Sequence, residues 1–281
     1  MKPLCDLQTH STFSDGTDTP SEIIVKAEKA GLSAVALCDH NTALGLPEFV
    51  SAAKGRNIEA VGGIEFSVEY SGKELHLLAL YVPIEKIDKY NAYVDLPRKS
   101  KEESNKAMVE SLRKAGYMLD YESILQKSQS GGLNRVNIAN ALIELGAISS
   151  VDEGFETILS EKAGHYIPPK RLDAFETIRF ILDTGAVPVL AHPLFTMDEY
   201  ELRKFLKKAV PMGLAGIETD YSEYDEFQTA TAVSIAEEFG LLRSGGSDYH
   251  GENKPKIKLG VGYGNLSIPL EFAEKIKAVK G

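Results

Sequence analysis

The stretch DLQTHSTFSDG near the start of the chain carries metal-binding side chains, with Asp6, His10 and Asp15 inside ten residues. Imidazole nitrogens and carboxylate oxygens both bind divalent cations, and their density here is typical of a metal site. Gln8 occupies the position two residues before His10, where a second histidine would complete a ligand pair. The stretch therefore predicts one edge of a metal centre with an unusual donor.

Similar polar residues recur along the chain, each in or after an apolar run that predicts a β-strand. Five of the six histidines belong to this set. Any one of them alone is more simply a surface or hydrogen-bonded core residue. Because the strand ends of a closed barrel converge on one mouth, the set as a whole predicts a pocket that cations must neutralise. Beyond the first stretch it comprises Asp39, His40, Glu65, His76, His192, Asp248 and His250.

The types of donor in this set indicate which metals it would bind. Mixed nitrogen and oxygen donors favour Zn²⁺, Mn²⁺ or Fe²⁺ over Mg²⁺ and Ca²⁺, which prefer shells made of oxygen alone. Eight or nine ligand positions also exceed what one ion can hold. We therefore expect two or three divalent ions at the predicted mouth.

The elements that must position these residues alternate between strand and helix. LCDLQ predicts the first strand, and TPSE predicts a helix start, with Thr19 as N-cap and Glu22 closing a capping box. EYSGKELHLLALYV predicts a hairpin that turns at Ser71 and Gly72. Strands joined by helices indicate a parallel sheet, and this many of them favour a barrel over an open sheet.

A long segment that predicts only helices interrupts this alternation. Residues 96–167 are rich in Lys, Glu, Ser and Asn, have apolar residues such as Leu112 and Leu142 at helical spacing, and contain no convincing strand. We therefore predict an α/β barrel domain formed by residues 1–95 and 168–281. The segment between them is predicted to be an inserted, mainly helical subdomain.

Charge and composition exclude some classes of partner. The net charge of −10 argues against a surface for long nucleic acid, because non-specific binding depends on many Lys and Arg contacts to phosphates. A small anionic substrate remains compatible where metals or arginines supply local positive charge. The two cysteines form no CxxC pair, and neither a signal peptide nor an apolar run of about 20 residues is evident. These features predict a cytoplasmic protein without a membrane segment.

Six motifs resemble, in order and spacing, those of the polymerase and histidinol phosphatase (PHP) family of phosphoesterases. They read DLQTHSTFSDG, ALCDHNT, GGIEFS, HLL, LAHP and GGSDYHG, and they cover residues 1–95 and 170–265. LNRVNIANAL and HYIPPKR resemble the insertion of the subgroup that acts on nucleotide phosphates and on the 5′ ends of short oligonucleotides. The resemblance implies a distorted (β/α)7-type barrel with a trinuclear metal site and a helical insertion that covers the mouth.

The resemblance also assigns ligands to three metals. The first would be held by Gln8, His10, Glu65 and Asp248, the second by Glu65 as a bridge with His76 and His192, and the third by Asp15, His40 and His250. Gln8 departs from the histidine of the family motif. Its neutral carbonyl oxygen is a weaker donor to a borderline metal, which predicts lower affinity or a shift towards a harder metal such as Mn²⁺. Asp39 is predicted either to orient a ligand or to cap the turn after its strand.

The implied activity is hydrolysis of a phosphomonoester or phosphodiester by a metal-bridged hydroxide that attacks phosphorus. Glu65, His192 and Asp248 would be the catalytic residues, with His192 or a metal-bound water protonating the leaving group. Expected substrates are 3′,5′-nucleotide bisphosphates and the 5′ ends of short oligonucleotides, and the acidic net charge favours the smaller ones. Candidate substrate-binding residues, each of which is otherwise an ordinary polar or charged surface residue, are Arg135, Asn137, Lys170 and Arg171.

Three alternatives remain open at this point. A histidinol-phosphate-type phosphatase belongs to the same family but would not be expected to carry the insertion. A catalytically impaired PHP protein that binds nucleotide or metal is supported by Gln8 and by Asn137, where the subgroup often has histidine. An amidohydrolase-type zinc enzyme would normally need a bridging lysine at a strand end, in the role that Glu65 has here.

Overall fold

The computed structural model describes residues 2–128 and 133–280 and contains two compact units. The first, here called the barrel unit, comprises Met1–Ala92 and Arg171–Gly281. The second, called the helical unit, comprises Tyr93–Lys170. Residues 129–132 of the predicted insertion, and residues 1 and 281 of the predicted barrel domain, lie outside the described residues. The placement of the insertion over the mouth stays a prediction.

The strands of the barrel unit form one mixed sheet in the order β1-β2-β3-β4-β6-β7-β8, with the short β5 beside β3. Their bounds are β1 (Leu4–Thr9), β2 (Leu32–Leu37), β3 (Glu59–Tyr70), β4 (Lys73–Leu80), β5 (Leu172–Asp173), β6 (Val187–Ala191), β7 (Gly216–Tyr221) and β8 (Leu242–Gly246). Beyond the last strand, Thr9 forms a parallel bridge with Tyr249, and the Asp248 amide donates to the Gln8 carbonyl at 3.0 Å. Seven strands therefore come close to a closed barrel, as predicted.

A parallel sheet was expected, and that is correct for every pair except those of β4, which is antiparallel to both β3 and β6. The cause is the predicted hairpin. Ser71 and Gly72 join β3 to β4 with φ of 52° and 77°, and a two-residue turn with both residues at positive φ returns the chain antiparallel. This hairpin brings His76 opposite Ser67 on β3 and opposite Ala191 at the end of β6.

Helices surround the strands and make up the helical unit. The first begins at Pro20 behind the predicted N-cap Thr19, and both hydrogen bonds of its capping box with Glu22 are present. In the barrel unit the helices are α1 (Pro20–Lys29), α2 (Leu46–Ala52), α8 (Ala174–Asp183), α9 (Glu199–Ala209), α10 (Glu226–Phe239) and α11 (Leu270–Ala278). At the junction and in the helical unit they are α3 (Ile87–Tyr93), α4 (Asp95–Lys114), α5 (Tyr121–Lys127), α6 (Arg135–Glu144) and α7 (Val151–Glu156).

Each unit has its own apolar core. In the barrel unit, Leu7, Val61, Leu78 and Val189 belong to one buried cluster, which the alternation of side chains along the strands produces. Cys5 belongs to it and is a free thiol, whose pKa burial raises to about 12. In the helical unit a separate cluster includes Met108, Leu112, Ile138, Leu142 and Leu159. Among the described residues, no helix combines the length and apolar character needed to cross a membrane.

Candidate active site

Glu65 on β3 lies at the centre of the predicted site and is completely buried. Its Oε1 lies 2.7 Å from His76 Nδ1 and 3.1 Å from His192 Nε2. Its Oε2 lies 3.1 Å from His10 Nε2 and 3.5 Å from His40 Nδ1. One carboxylate therefore joins four imidazoles from four different parts of the chain. A carboxylate in this position can bridge two cations.

Asp15 gathers a second group of imidazoles. Its Oδ1 lies 3.1 Å from His250 Nε2 and 3.8 Å from His10 Nδ1, and its Oδ2 lies 3.7 Å from His40 Nε2. The rings of His10 and His250 stack with centroids 4.1 Å apart. His10 and His40 thus contact both Asp15 and Glu65, so the two groups form one continuous cluster.

Asp248 has different partners for its two carboxylate oxygens. Oδ1 lies 3.0 Å from His10 Nε2, whereas Oδ2 accepts from Tyr221 Oη at 3.0 Å and from Lys254 Nζ at 2.6 Å. Charge-assisted hydrogen bonds of this kind hold a carboxylate firmly, so Oδ1 is the oxygen turned towards the cluster. Sequence reasoning missed Tyr221 and Lys254, because nothing in a strand-end tyrosine or a loop lysine signals contact with a residue elsewhere in the fold.

The backbone is strained where two of these side chains enter the site. His192 has φ of 28° and Asp248 has φ of 56°, both in the left-handed region that non-glycine residues rarely adopt. Such conformations cost about 1–3 kcal/mol each and persist where surrounding contacts over-determine them. Here the strain directs an imidazole and a carboxylate into the cluster from the ends of β6 and β8.

Asp39 holds the loop that carries His10 and Asp15. It accepts hydrogen bonds from the Ser11 amide and the Ser11 hydroxyl, both at 2.7 Å, and from the Ser14 hydroxyl at 2.6 Å. The loop is tight at Gly16, where a Cβ atom would lie 2.1 Å from the His10 carbonyl oxygen. Asp39 therefore supports the backbone between two predicted ligands.

Asp6 holds the loop that carries Asp248 in the same way, by accepting hydrogen bonds. Its Oδ1 accepts from the amide of Ser247 at 2.8 Å and its Oδ2 from the amide of Gly260 at 2.8 Å, with further bonds from the Ser247 hydroxyl and the Gln8 amide. Asp6 is completely buried, and burial raises its pKa against the opposing effect of these bonds. All of its neighbours donate, so both oxygens must accept.

We expect Asp6→Asn to destabilise the fold by about 2–3 kcal/mol, because the asparagine amino group would face donors and leave one of them unsatisfied in the interior. Urea unfolding followed by circular dichroism measures this change. Asp225→Asn is the matched control, since Asp225 is an exposed N-cap of α10 whose single accepting oxygen asparagine also provides. Equal stability of the two variants would contradict the role given to Asp6.

Glu218 on β7 is a buried carboxyl that sequence reasoning also missed. Its Oε2 accepts from the His192 amide at 2.8 Å, and its Oε1 makes no hydrogen bond to any described residue. Burial, with Glu65 and Asp248 nearby, raises the pKa of Glu218 well above its usual range. The sequence feature that could have identified Glu218 is its charge inside the otherwise apolar run of LAGIETD. Its contact with the backbone of His192 supports the strained conformation there.

The charges in the cluster depend on one another. Burial lowers the pKa of His40 to about 3, against the effects of Asp15 and Glu65. Burial has the same direction at His76, but Glu65 and Glu74 outweigh it and raise the pKa to about 10. Burial opposes ionisation of Glu65, yet His40 and His76 hold its pKa well below the usual range. With its raised pKa, His76 carries a proton here and supplies positive charge to the carboxylate, and a divalent cation would displace that proton.

The donors present fit divalent cations. Three sets of side chains bring ligand atoms within 4.8 Å of one another. Several buried donor atoms, including His10 Nδ1, His40 Nδ1 and Asp15 Oδ1, form no hydrogen bond with described residues. Buried lone pairs without partners are costly unless a cation takes them. The sets are His10 with Glu65 and Asp248; His40 with Glu65 and His76; and His10 with Asp15, His40 and His250.

These sets can be compared with the ligands assigned from the sequence. His10, Glu65 and Asp248 occur together in both, as do Asp15, His40 and His250. His40 reaches the second set as well, because it lies between Asp15 and Glu65. His192 is not in these sets but contacts Glu65, the residue it was predicted to share a metal with.

Comparison with known proteins agrees with this geometry. The PHP domain model matches residues 6–139. A 5′-3′ exoribonuclease of Haemophilus influenzae is 29% identical over 246 residues, which cover 87% of this chain and 89% of that protein. Residues 6–139 thus match the PHP domain, and the chain is similar to this relative over most of its length. A 3′,5′-nucleoside bisphosphate phosphatase of Chromobacterium violaceum, another relative, is 27% identical over 248 residues, covering 87% of this chain and 86% of the relative.

A solved structure extends the comparison to the whole chain. A Bifidobacterium adolescentis protein assigned as a metal-dependent phosphoesterase superposes with a TM-score of 0.86 at 26% identity. The match covers 99% of this chain and 97% of that one. The likeness therefore extends to the helical unit, beyond the six motifs.

Gln8 is the departure from the PHP motif, and it is buried. Neither Oε1 nor Nε2 of its side chain forms a hydrogen bond with a described residue. Gly246 leaves room for it, since a Cβ there would lie 2.5 Å from Gln8 Cβ. A buried amide without partners costs free energy. Since alternate residues of a strand share a face, Gln8 lies on the same face of β1 as Asp6, two residues before His10.

The predicted substrate-binding residues of this chain have structural contacts of their own. The Arg135 guanidinium lies 4.2 Å from the ring centroid of Tyr166. Asn137 closes a capping box at the start of α6. The Lys170 amide donates to Ser100 Oγ at 2.7 Å. In the barrel unit, Arg171 pairs with Glu74 at 2.7 Å. Their roles towards substrate stay predictions.

Proposed function

We propose that the protein hydrolyses phosphate esters of nucleotides, namely 3′,5′-nucleoside bisphosphates or the 5′ ends of short oligonucleotides. The observation that carries this proposal is the position of Glu65 between four imidazoles, with Asp15 and Asp248 on either side of His10. This density of nitrogen and oxygen donors suits a centre that holds several cations and one phosphate group. The names of the two curated relatives support nucleic-acid phosphates as the substrate class.

Two or three divalent ions, Mn²⁺, Zn²⁺ or Fe²⁺, are proposed to bind here, with the nine predicted ligands holding them. Bound cations neutralise phosphate oxygens and lower the pKa of water, which is the chemistry that in-line displacement at phosphorus needs. Glu65 belongs to the predicted ligand sets of both the first and the second metal, and it would hold the ligands of both sets in place. His192 is the candidate proton donor to the leaving oxygen, as an imidazole that contacts Glu65 at 3.1 Å.

Lys254, beside the strained loop at Asp248, also contributes to the proposed activity. Burial opposes the charge on Lys254, but Asp248 raises its pKa, so the ammonium stays charged beside the cluster. It fixes Asp248 and adds positive potential for an incoming phosphate in a protein of net charge −10. In the helical unit, the Arg135 guanidinium is held over the rings of Tyr166 and Phe155, which preorganises it for bidentate phosphate recognition.

The candidate substrates are limited in size by the same charge. Long nucleic acid requires many cationic contacts along its backbone, whereas a bisphosphate or a short 5′ end needs only the metals and a few basic residues. Arg135, Asn137, Lys170 and Arg171 are proposed to make those contacts. A cytoplasmic location likewise stays a prediction. The catalytically impaired alternative is favoured by one observation, the buried amide of Gln8 at a ligand position.

The test is release of inorganic phosphate from adenosine 3′,5′-bisphosphate after loading with Mn²⁺, and in parallel with Zn²⁺ and Fe²⁺. We expect release that a chelator abolishes and that added Mn²⁺ restores. A 5′-phosphorylated trinucleotide, followed by chromatography of the mononucleotide, tests the exonuclease-like activity. Absence of product from both substrates with each of the three metals would overturn the proposed function.

A further inference from the structure

Phe195 is an exposed aromatic residue beside the metal-binding cluster. It ends the 3₁₀ turn Pro193–Phe195, which directly follows His192, and 61% of its surface is exposed. Its ring centroid lies 6.3 Å from that of His192 and 6.4 Å from that of Tyr221. Both neighbours are buried and both contact carboxylates of the site. Phe195 therefore offers an apolar face at the edge of the centre.

The turn that carries Phe195 is held on several sides. The Phe195 amide donates to the His192 carbonyl at 3.0 Å, and the Leu194 amide donates to Tyr224 Oη at 2.7 Å. The His192 amide is bound by Glu218 at 2.8 Å. Leu194 packs against the buried cluster of Tyr221, Tyr224 and Ala232. A side chain on so constrained a turn loses little further backbone freedom when a ligand binds.

The position of Phe195 determines what part of a substrate it would meet. His192 connects the turn to Glu65. When the phosphate of a substrate is bound at the cluster, the part of the substrate attached to that phosphate therefore lies within reach of the Phe195 ring. A flat apolar face in water favours a flat aromatic ring, and bases stack on such faces whatever their sequence. Single exposed apolar residues are common on protein surfaces, but this one adjoins the buried ligands of the site.

We propose that Phe195 is the stacking platform for the nucleobase of the substrate. It would thereby give the barrel unit a means to distinguish nucleotides from phosphate esters that lack a base. This inference rests on the proposed function, because it assumes that the phosphate binds at the cluster around Glu65. Phe195 would act on binding, and every bond that changes in the reaction lies at the phosphate.

Calorimetric titration of the Mn²⁺-loaded protein with adenosine 5′-monophosphate and with ribose 5-phosphate tests the proposal. Phe195→Ala is expected to weaken adenosine monophosphate binding about 5- to 150-fold, the range for stacking one base on an aromatic side chain, and to leave ribose 5-phosphate binding unchanged. Phe195→Trp should retain tight binding of the nucleotide. In the phosphate-release assay, Phe195→Ala should raise KM for adenosine 3′,5′-bisphosphate with kcat unchanged, as loss of uniform binding predicts.

The outcomes separate this inference from the proposed function. If the unaltered protein releases phosphate and Phe195→Ala weakens both ligands equally, or neither, the stacking role is wrong and the hydrolase stands. If the unaltered protein shows no release and binds neither ligand, both are overturned. Thermal unfolding of each variant, compared with the unaltered protein, identifies any loss of binding that reflects a loss of folding.

Discussion

Glu65→Gln is expected to lower kcat/KM for adenosine 3′,5′-bisphosphate by at least about a thousandfold, or about 4 kcal/mol of transition-state stabilisation. The reason is the position of this carboxylate, which contacts His10, His40, His76 and His192 at 2.7–3.5 Å. A glutamine keeps the shape but provides one neutral oxygen and turns an amino group towards the remaining imidazoles or cations. Metal bound per chain, measured by elemental analysis, should fall together with activity.

Glu69→Gln is the matched control for this substitution. Glu69 lies on the same strand, β3, but its side chain is exposed, so the change of charge and shape is the same outside the cluster. We expect its activity and metal content to equal those of the unaltered protein. If Glu65→Gln kept a tenth or more of the activity with its full metal content, Glu65 would not be the residue that bridges cations. The proposed site would then have to be centred on another residue.

Gln8→His is expected to tighten binding of the first Zn²⁺ by about tenfold or more, equivalent to about 1.4 kcal/mol. An imidazole is a stronger donor than an amide oxygen to a borderline metal, and the buried Gln8 side chain, whose polar atoms have no hydrogen bonds among described residues, lies on the strand that leads to His10. Competition with a fluorescent chelator measures the affinity. The same titration with Mn²⁺ should show a smaller gain, because Mn²⁺ prefers harder oxygen donors.

Gln8→Leu is the control, since it replaces the polar amide with an apolar side chain of similar size and so removes the carbonyl oxygen. We expect it to bind Mn²⁺ more weakly than the unaltered protein. Unchanged Zn²⁺ affinity in Gln8→His would show that residue 8 is not a ligand. Phosphate release by the two proteins separates two further cases. Release by the unaltered chain means that the centre works with glutamine, whereas release only by Gln8→His would identify an impaired form.

Strand ends explain why much of the candidate site could be predicted without a structure. Donor types and the alternation of strands with helices are local properties, and the ends of adjacent strands converge whatever the details of packing. His10, His40 and Glu65 follow from this rule, as does the capping box at Thr19. The fold class follows from it too. The antiparallel β4 was less accessible, although its two-residue turn marked the hairpin itself.

The sequence by itself determined that this protein has a barrel with a metal-binding mouth, because those features depend on residue type and on order along the chain. Only the tertiary structure decided how the side chains are held. Tyr221 contacts Asp248, and Glu218 supports the strained backbone of His192, through contacts between residues that are 27 and 26 positions apart in sequence, while Lys254 reaches Asp248 from the loop that follows it. Such contacts depend on strand register and on single left-handed residues, which no local pattern encodes.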